Sequence, residues 1–291
     1  IIELTRGTQR TVEVLKHRSI GQVEGTHGLE IRDEGLEIYP ALTPQTHQQE
    51  IPEQKIPTGI EELDAQLGGG IEQNTVTFLS GPTGVGKSSL SAQLATRTHT
   101  DGTTAVYLFE ESIQSFTMRT ESLGIPVTDL QRDDTLLLKA IEPLAHSAEE
   151  FASIIQRDVS ERGVDTVVID GIDGYTMAIQ VQQKQLLTKL HSLTRYLTNN
   201  NVTVFITDEI SNVTGVSSAT SVNASYIADN IIALNYIEEG SQIRRIIAVL
   251  KKRTGAFKNT FREFELAADG IEVSEPLEGM TGILRGVPKQ A

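Results

Sequence analysis

The chain contains no cysteine. That excludes disulfide staples and cysteine-ligated zinc, and it is compatible with a reducing cytoplasm, the location expected here. Long apolar runs are missing as well: no stretch reaches the roughly 20 residues of a membrane-spanning helix. The opening Ile1-Ile2-Glu3-Leu4 lacks the basic flank of a signal segment. Cations are scarce, with 25 Lys and Arg against 39 Asp and Glu and a net charge of −14. Phosphate contacts along nucleic acid need clustered cations, so this balance argues against a nucleic-acid partner and reads as a solvated acidic surface. What is present suffices for a core: 38% of 291 residues are hydrophobic, enough for one large domain or two small ones.

One stretch organises the rest. Gly81-Pro82-Thr83-Gly84-Val85-Gly86-Lys87-Ser88 fits G-x-x-x-x-G-K-[ST] at every fixed position. The apolar run Thr75–Leu79 precedes it, and Leu90, Leu94 and Ala95 follow at helical spacing, giving the strand–loop–helix context that the motif requires. Glycines let successive N–H groups turn inward around phosphates, and the helix N-terminus adds partial positive charge. Thr83, Gly84, Val85, Gly86, Lys87, Ser88 and Ser89 are therefore the candidate nucleotide-binding residues, with ATP as cofactor. Lys87 is placed to reach the outer phosphates and the Ser88 hydroxyl to ligate Mg²⁺.

Around this loop the pattern alternates. Thr58 is expected to cap a short helix over Glu61–Leu67, ended by Gly68-Gly69-Gly70. Thr103–Phe109 reads as a strand, Ser112 to Leu123 as a capped helix, and Thr135–Lys139 as a short strand. Ser147 caps a helix running to Arg162, with Glu150 as capping-box partner. Val164–Ile169 is a buried strand ending at Asp170, and Gln180–Asn199 is a helix with a Leu stripe. Val202–Thr207, Ile227–Leu234, Ile243–Lys252, Thr260–Leu266 and Gly270–Val273 read as further strands, the last three antiparallel. The fold class is thus α/β: a mainly parallel central sheet flanked by helices, with C-terminal antiparallel strands.

Residues 1–42 carry short strands and no covering helix. They recur near the C-terminus: Arg10, Val14-Leu15-Lys16, Arg18, Glu30, Gly35 and Glu37 match Arg245, Val249-Leu250-Lys251, Arg253, Glu265, Gly270 and Glu272, at a constant offset of 235. Ile1–Leu4 resembles Ile231–Leu234. A period this long is too large for a solenoid and suits one nucleotide-binding domain. The expectation is that residues 1–42 are the C-terminal strands of a preceding, similar domain, residues 43–52 a linker, and 53–291 an ATPase domain with a C-terminal tail.

Three further groups carry candidate chemistry. Asp170 closes an apolar strand at the sheet edge where open α/β sheets bind ligands, and is the candidate magnesium-holding acid. Glu110-Glu111 follow the strand after the phosphate-loop helix, where a carboxylate can polarise water; an acidic helix N-terminus explains them equally well. Lys251-Lys252-Arg253 end a strand, either as cations for a transferring phosphoryl group or as charges blunting a sheet edge.

Taken together, these residues resemble the RecA-superfamily ATPases, and among them the KaiC family of circadian-clock ATPases. The likeness rests on Thr58-Gly59-Ile60, Leu63-Asp64, Gly68-Gly69-Gly70, the phosphate loop, Phe109-Glu110-Glu111-Ser112, Val167–Asp170, Ile227–Ile232, Val249–Arg253 and Gly282–Pro288. The resemblance implies a P-loop ATPase that forms a hexameric ring with ATP between subunits, a regulatory protein partner, and serine/threonine autokinase activity. It implies that Glu110 and Glu111 are catalytic, with Glu111 also near the metal, and that Lys251 and Arg253 act on a neighbour's ATP. The family's phosphorylated Ser-Thr pair is Ser225-Tyr226 here, leaving Ser225 as the acceptor, and a family histidine is Phe257; no clock role is read from this. Two other readings stay open on the residues: a DNA-dependent RecA/RadA-type ATPase using the loops 172–185 and 211–225, and a nucleotide-sensing scaffold without turnover.

Overall fold

The computed structural model describes residues 2–4, 10–15, 25–42, 54–97, 102–142, 146–178, 183–210, 220, 224–239, 241–281 and 289–290. The expected linker and the Gly282–Pro288 likeness lie outside these residues, as does nearly all of the Ser/Thr/Gly-rich stretch after Ile210.

In chain order, β1 (Ile2–Leu4), β2 (Arg10–Glu13), β3 (Thr26–Arg32) and β4 (Gly35–Tyr39) form a four-stranded antiparallel sheet in sequence order. A short pair, β5 (Lys55–Ile56) and β6 (Ile71–Glu72), brackets α1 (Glu61–Gln66). Then come β7 (Val76–Gly81), α2 (Lys87–Arg97), β8 (Thr103–Leu108), α3 (Ile113–Glu121), α4 (Val127–Arg132), β9 (Leu136–Ala140), α5 (Ala148–Arg162), β10 (Val164–Asp170), α6 (Ile172–Ala178), α7 (Gln183–Asn199) and β11 (Thr203–Glu209). A single 3₁₀ turn (Ala224–Tyr226) precedes β12 (Asn230–Glu239), β13 (Gln242–Lys252), β14 (Arg262–Ala267) and β15 (Gly270–Pro276).

The main sheet has nine strands in the order β15-β14-β13-β12-β7-β11-β10-β8-β9. From β12 to β9 every pairing is parallel, and β13, β14 and β15 extend it antiparallel. Alternation along the central strands sends side chains into two apolar layers. Phe78, Tyr107, Val167, Ile169, Val204 and Ile206 face the core under α5 and α7. Leu79, Val106, Leu108, Val168 and Phe205 face the core under α1 to α4. This is the three-layer α/β architecture expected from the sequence, and it sets β7 at the centre with its phosphate loop at the sheet's C-terminal edge.

Local chemistry departs from expectation at several points. Thr58 does not cap α1: Ile60 occupies that position without a side-chain bond, and the Thr58 hydroxyl instead accepts from the Ile60 N–H at 3.2 Å. The Thr58 N–H donates to Asp64 at 2.8 Å, which ties the approaching turn to the helix. Ser147 does cap α5, accepting from the Glu150 N–H, but the Glu150 side chain does not return to complete a capping box. It is taken by Arg32, at 2.7 Å, across the contact with the N-terminal sheet. The sequence pattern gives no sign of helices α4 and α6. The latter fills half of one loop assigned to DNA, and its Tyr175 is only 2% exposed, so that ring offers no platform for a base.

The N-terminal sheet repeats the register of the C-terminal strands. Leu29 faces Ile38 and Ile31 faces Leu36, as Phe264 faces Val273 and Leu266 faces Ile271, at the offset of 235 read from the sequence. The first strand differs: Ile2 lies opposite Val12 as Leu234 lies opposite Ile247, two residues from the match expected. A two-residue slip keeps every side chain on its face, so the sequence pattern cannot detect it.

Candidate functional site

The phosphate loop leaves β7 through Gly81, where a Cβ would lie 2.4 Å from the Leu234 carbonyl oxygen; no larger residue fits between these strands. Gly84 (φ +75°) and Gly86 (φ +117°) adopt the left-handed backbone that turns amides inward. Gly86 packs under Phe264 and Leu266 of β14, so the antiparallel extension reaches over the loop. Val85 is fully buried in the core, so only its backbone faces the loop.

The Lys87 amine donates to the Gly81 and Pro82 carbonyls, both at 2.9 Å. Burial lowers its pKa, opposed by Glu209 and Glu110. One residue on, the Ser88 hydroxyl donates to Asp170 Oδ1 at 2.9 Å. Thr207 donates to the same oxygen at 2.7 Å and itself accepts from the Gly171 N–H at 2.7 Å. Burial raises the Asp170 pKa, and the two hydroxyls pull it back. Ser88, on the helix after β7, and Asp170, at the end of β10 two strands away, thus meet at the sheet's C-terminal edge, the arrangement that a magnesium-ligating pair would need.

The tandem glutamates separate. Glu110 lines the cleft, and Gly171 (φ +97°) makes room for it: a Cβ there would lie 2.8 Å from Glu110 Cγ and Oε1. Burial raises the Glu110 pKa first, with Asp170, Glu209 and Asp173 adding to it. Glu111 turns aside into an ion pair with Arg119 of α3, while remaining near enough to Asp170 to raise its pKa. Arg119 also donates to Ser89 Oγ at 3.0 Å. The resulting cleft has a volume of about 210 Å³ and is open to solvent on one side.

Lys251 and Arg253 are not in this cleft. Lys251 pairs with Ile231, which lies opposite Phe78, three residues before Gly81. At ~3.3 Å per residue that is roughly 10 Å along the strand toward the other rim, and two strands across. There Lys251 donates to the Ser225 and Ala228 carbonyls at 2.7 and 2.6 Å. Arg253 pairs with Asp229 at 2.9 Å and donates to the Tyr226 carbonyl. Ser225, Lys251 and Arg253 therefore form one group on the far rim.

Sequence reasoning missed Thr207, Glu209 and Arg119. Thr207-Asp208-Glu209 close β11 opposite Leu79-Ser80-Gly81, which is the polar end of an apolar strand, the same signal that picked out Asp170. Arg119 gave no signal, being one cation on a helix face.

The site fits a magnesium nucleotide. The glycine cradle excludes side chains where phosphates would lie, and the donor set is one hydroxyl and one carboxylate. Among the described residues no group of three or more His, Cys, Asp or Glu could hold a metal. Mg²⁺ suits such a sparse set because it keeps waters and takes further oxygens from substrate phosphates. A family profile described as "ATPase: KaiC" matches residues 56–278, spanning the loop, Asp170 and the antiparallel extension. The chain belongs to the KaiC family. It is 26% identical over 281 residues, 96% of its length, to the circadian clock oscillator protein KaiC of Parathermosynechococcus lividus, covering 51% of that protein. The corresponding protein of Picosynechococcus sp. is also 26% identical, with 54% of it covered. So is the circadian clock protein KaiC3 of Synechocystis sp., over 282 residues and 55% of its length. The chain thus spans about half the length of the curated relatives it matches. Its RecA-like fold is the one that a KaiC ATPase unit requires, and no described helix is long and apolar enough to cross a membrane.

Proposed function

We propose that this KaiC-family chain binds Mg-ATP at the phosphate-loop cleft and hydrolyses it, as the ATPase unit of a regulatory ring. The observation that carries the reading is the 2.9 Å bond from Ser88 to Asp170, with Glu110 lining the same cleft. The inward amides of residues 83–89 and the Lys87 amine hold the phosphates. Ser88 and Asp170 would hold the magnesium ion, which when bound neutralises charge on the phosphate oxygens. Thr207, anchored by Gly171, fixes Asp170 in place. Glu110, with its raised pKa, orients the attacking water and accepts its proton.

The far-rim position of Lys251 and Arg253 supports their acting on the nucleotide of an adjacent copy, since they cannot reach the loop of their own chain. That is the reason for proposing a ring, a hexamer by likeness to the family. Ser225, beside the same cations, is the proposed acceptor of an autokinase step. Residues 1–42 are proposed as the closing strands of a preceding KaiC-like domain, because their register repeats that of β13 to β15. A regulatory protein partner that reads the ring's nucleotide state completes the proposal.

The test is ATP turnover by the purified chain with Mg²⁺. Lys87→Ala should lower kcat/KM at least 100-fold, because the amine is the one side-chain cation of the loop. Undiminished hydrolysis by that variant would refute the reading.

A further inference from the structure

Arg119 lies in the cleft without belonging to any motif. It stands on α3, crosses to the first turn of α2, and donates from Nη1 to Ser89 Oγ at 3.0 Å and from Nη2 to Glu111. Its guanidinium carbon also sits 5.2 Å from the centre of the Phe116 ring, a cation–π contact. Phe116 is 1% exposed, so that platform is packed into the core. The side chain of Arg119 is 31% exposed, and it lines the same cavity as Thr83, Gly84 and Lys87.

The direction of approach matters. Successive helix residues point about 100° apart, so Ser88 faces β10 and Asp170 while Ser89 faces α3. The metal and the reacting end of a triphosphate belong to the Ser88 side. Amides at the start of the helix, Ser89 among them, face the α- and β-phosphates in a P-loop. A cation resting on the Ser89 hydroxyl is therefore beside the inner phosphates. Guanidinium has five N–H donors, and the two contacts to Ser89 and Glu111 leave others to engage phosphate oxygens.

We propose that Arg119 is a second phosphate-binding cation supplied by the chain itself, directed at the inner phosphates and held in reserve by Glu111. It complements Lys87 at the outer phosphates and would act on the nucleotide of its own cleft, unlike Lys251 and Arg253. Glu111 on this view tunes nucleotide affinity by competing for the guanidinium.

The proposal rests on ATP binding at this cleft, and the experiment separates the two. Equilibrium binding of ADP and of a non-hydrolysable ATP analogue is measured with Mg²⁺ on the full chain, for wild type and for the variants Lys87→Ala, Arg119→Met, Arg119→Lys and Glu111→Gln. Arg119→Met should weaken ADP and the ATP analogue by the same factor, about tenfold. Arg119→Lys should recover part of the loss, because an ammonium restores the charge without the fork. Glu111→Gln should tighten both nucleotides severalfold. If wild type binds neither nucleotide, the underlying reading fails. If wild type binds and Lys87→Ala does not, but Arg119→Met is unchanged or loses only the ATP analogue, this proposal alone is overturned. Matching thermal melts for Arg119→Met and wild type exclude misfolding; should that variant unfold, an unaltered affinity in Glu111→Gln is the overturning result.

Discussion

Lys251, Lys252 and Arg253 are adjacent in sequence yet do three different things. Lys251 binds the carbonyls of the Ser225 turn and Arg253 pairs with Asp229. Lys252 points the other way, as strand alternation requires. Its side chain is fully buried, paired to Glu72 at 2.9 Å and donating to the Gly70 carbonyl at 3.0 Å and to the Leu67 carbonyl. It thereby locks the glycine turn after α1 to the end of β13. Removing one member of a buried pair leaves the other charge uncompensated, at a cost of about 3–5 kcal/mol. Lys252→Met is expected to lower unfolding stability by that amount in urea titration. Lys252→Met combined with Glu72→Gln should cost less than Lys252→Met alone, because no unpaired charge remains. A single substitution that leaves the urea midpoint in place would show that the lysine is incidental to folding.

At the scale of elements, the N-terminus of α5 is where the two sheets are joined. Ser147 accepts from the Glu150 N–H at 3.1 Å, and Gly28 of β3 lies so close that a Cβ would come 2.9 Å from Glu149 Cβ. Glu150 meets Arg32 at 2.7 Å, Tyr39 at 3.4 Å and His146 at 3.1 Å. Ser147→Ala should cost about 1 kcal/mol, as loss of an N-cap does. It should also speed amide exchange in β3 and β4, since the helix end is their support. Exchange accelerated in α5 alone would mean that the sheet is held by other contacts. Elements of this kind divide what the sequence could and could not tell. The cap at Ser147, the loop at 81–88, the strand ending in Asp170 and the order of antiparallel strands were legible, because each is a local pattern of turn chemistry and periodicity. The partner of Glu150 was not, because Arg32 is 118 residues away and nothing local marks it. Helix α4 was hidden by its length of six residues, and the parting of Glu110 from Glu111 by an arginine on the following helix.

For the whole molecule, the two strand sets with matching register meet different fates. Phe264, Leu266, Ile271 and Val273 belong to the core beside α2, and the first two touch the phosphate-loop glycine Gly86. On the N-terminal sheet, Ile31, Leu36 and Ile38 hold the positions of Leu266, Ile271 and Val273 but are 59%, 63% and 51% exposed, while Leu29, at the position of Phe264, is buried. The opposite face of that sheet, carrying Gly28 and Arg32, is the one spent on α5. Three large apolar side chains side by side and open to water on one sheet face mark a surface that suits a partner. If residues 1–42 close a preceding domain as proposed, the cover that would suit it by equivalence of register is that domain's loop-and-helix edge, the edge that β14 and β15 cover in this one. Without that cover, the isolated chain should bind an apolar dye such as ANS through this face and self-associate when concentrated in the absence of nucleotide. Ile31→Thr, Leu36→Thr and Ile38→Thr together should abolish most of the dye signal and the self-association seen by sedimentation. Threonine keeps strand propensity, and the positions are exposed, so the melting temperature should move by only a degree or two while ATP binding stays intact. A triple variant that binds as much dye as wild type would mean that the face is already satisfied, and the proposed preceding domain would lose its structural support.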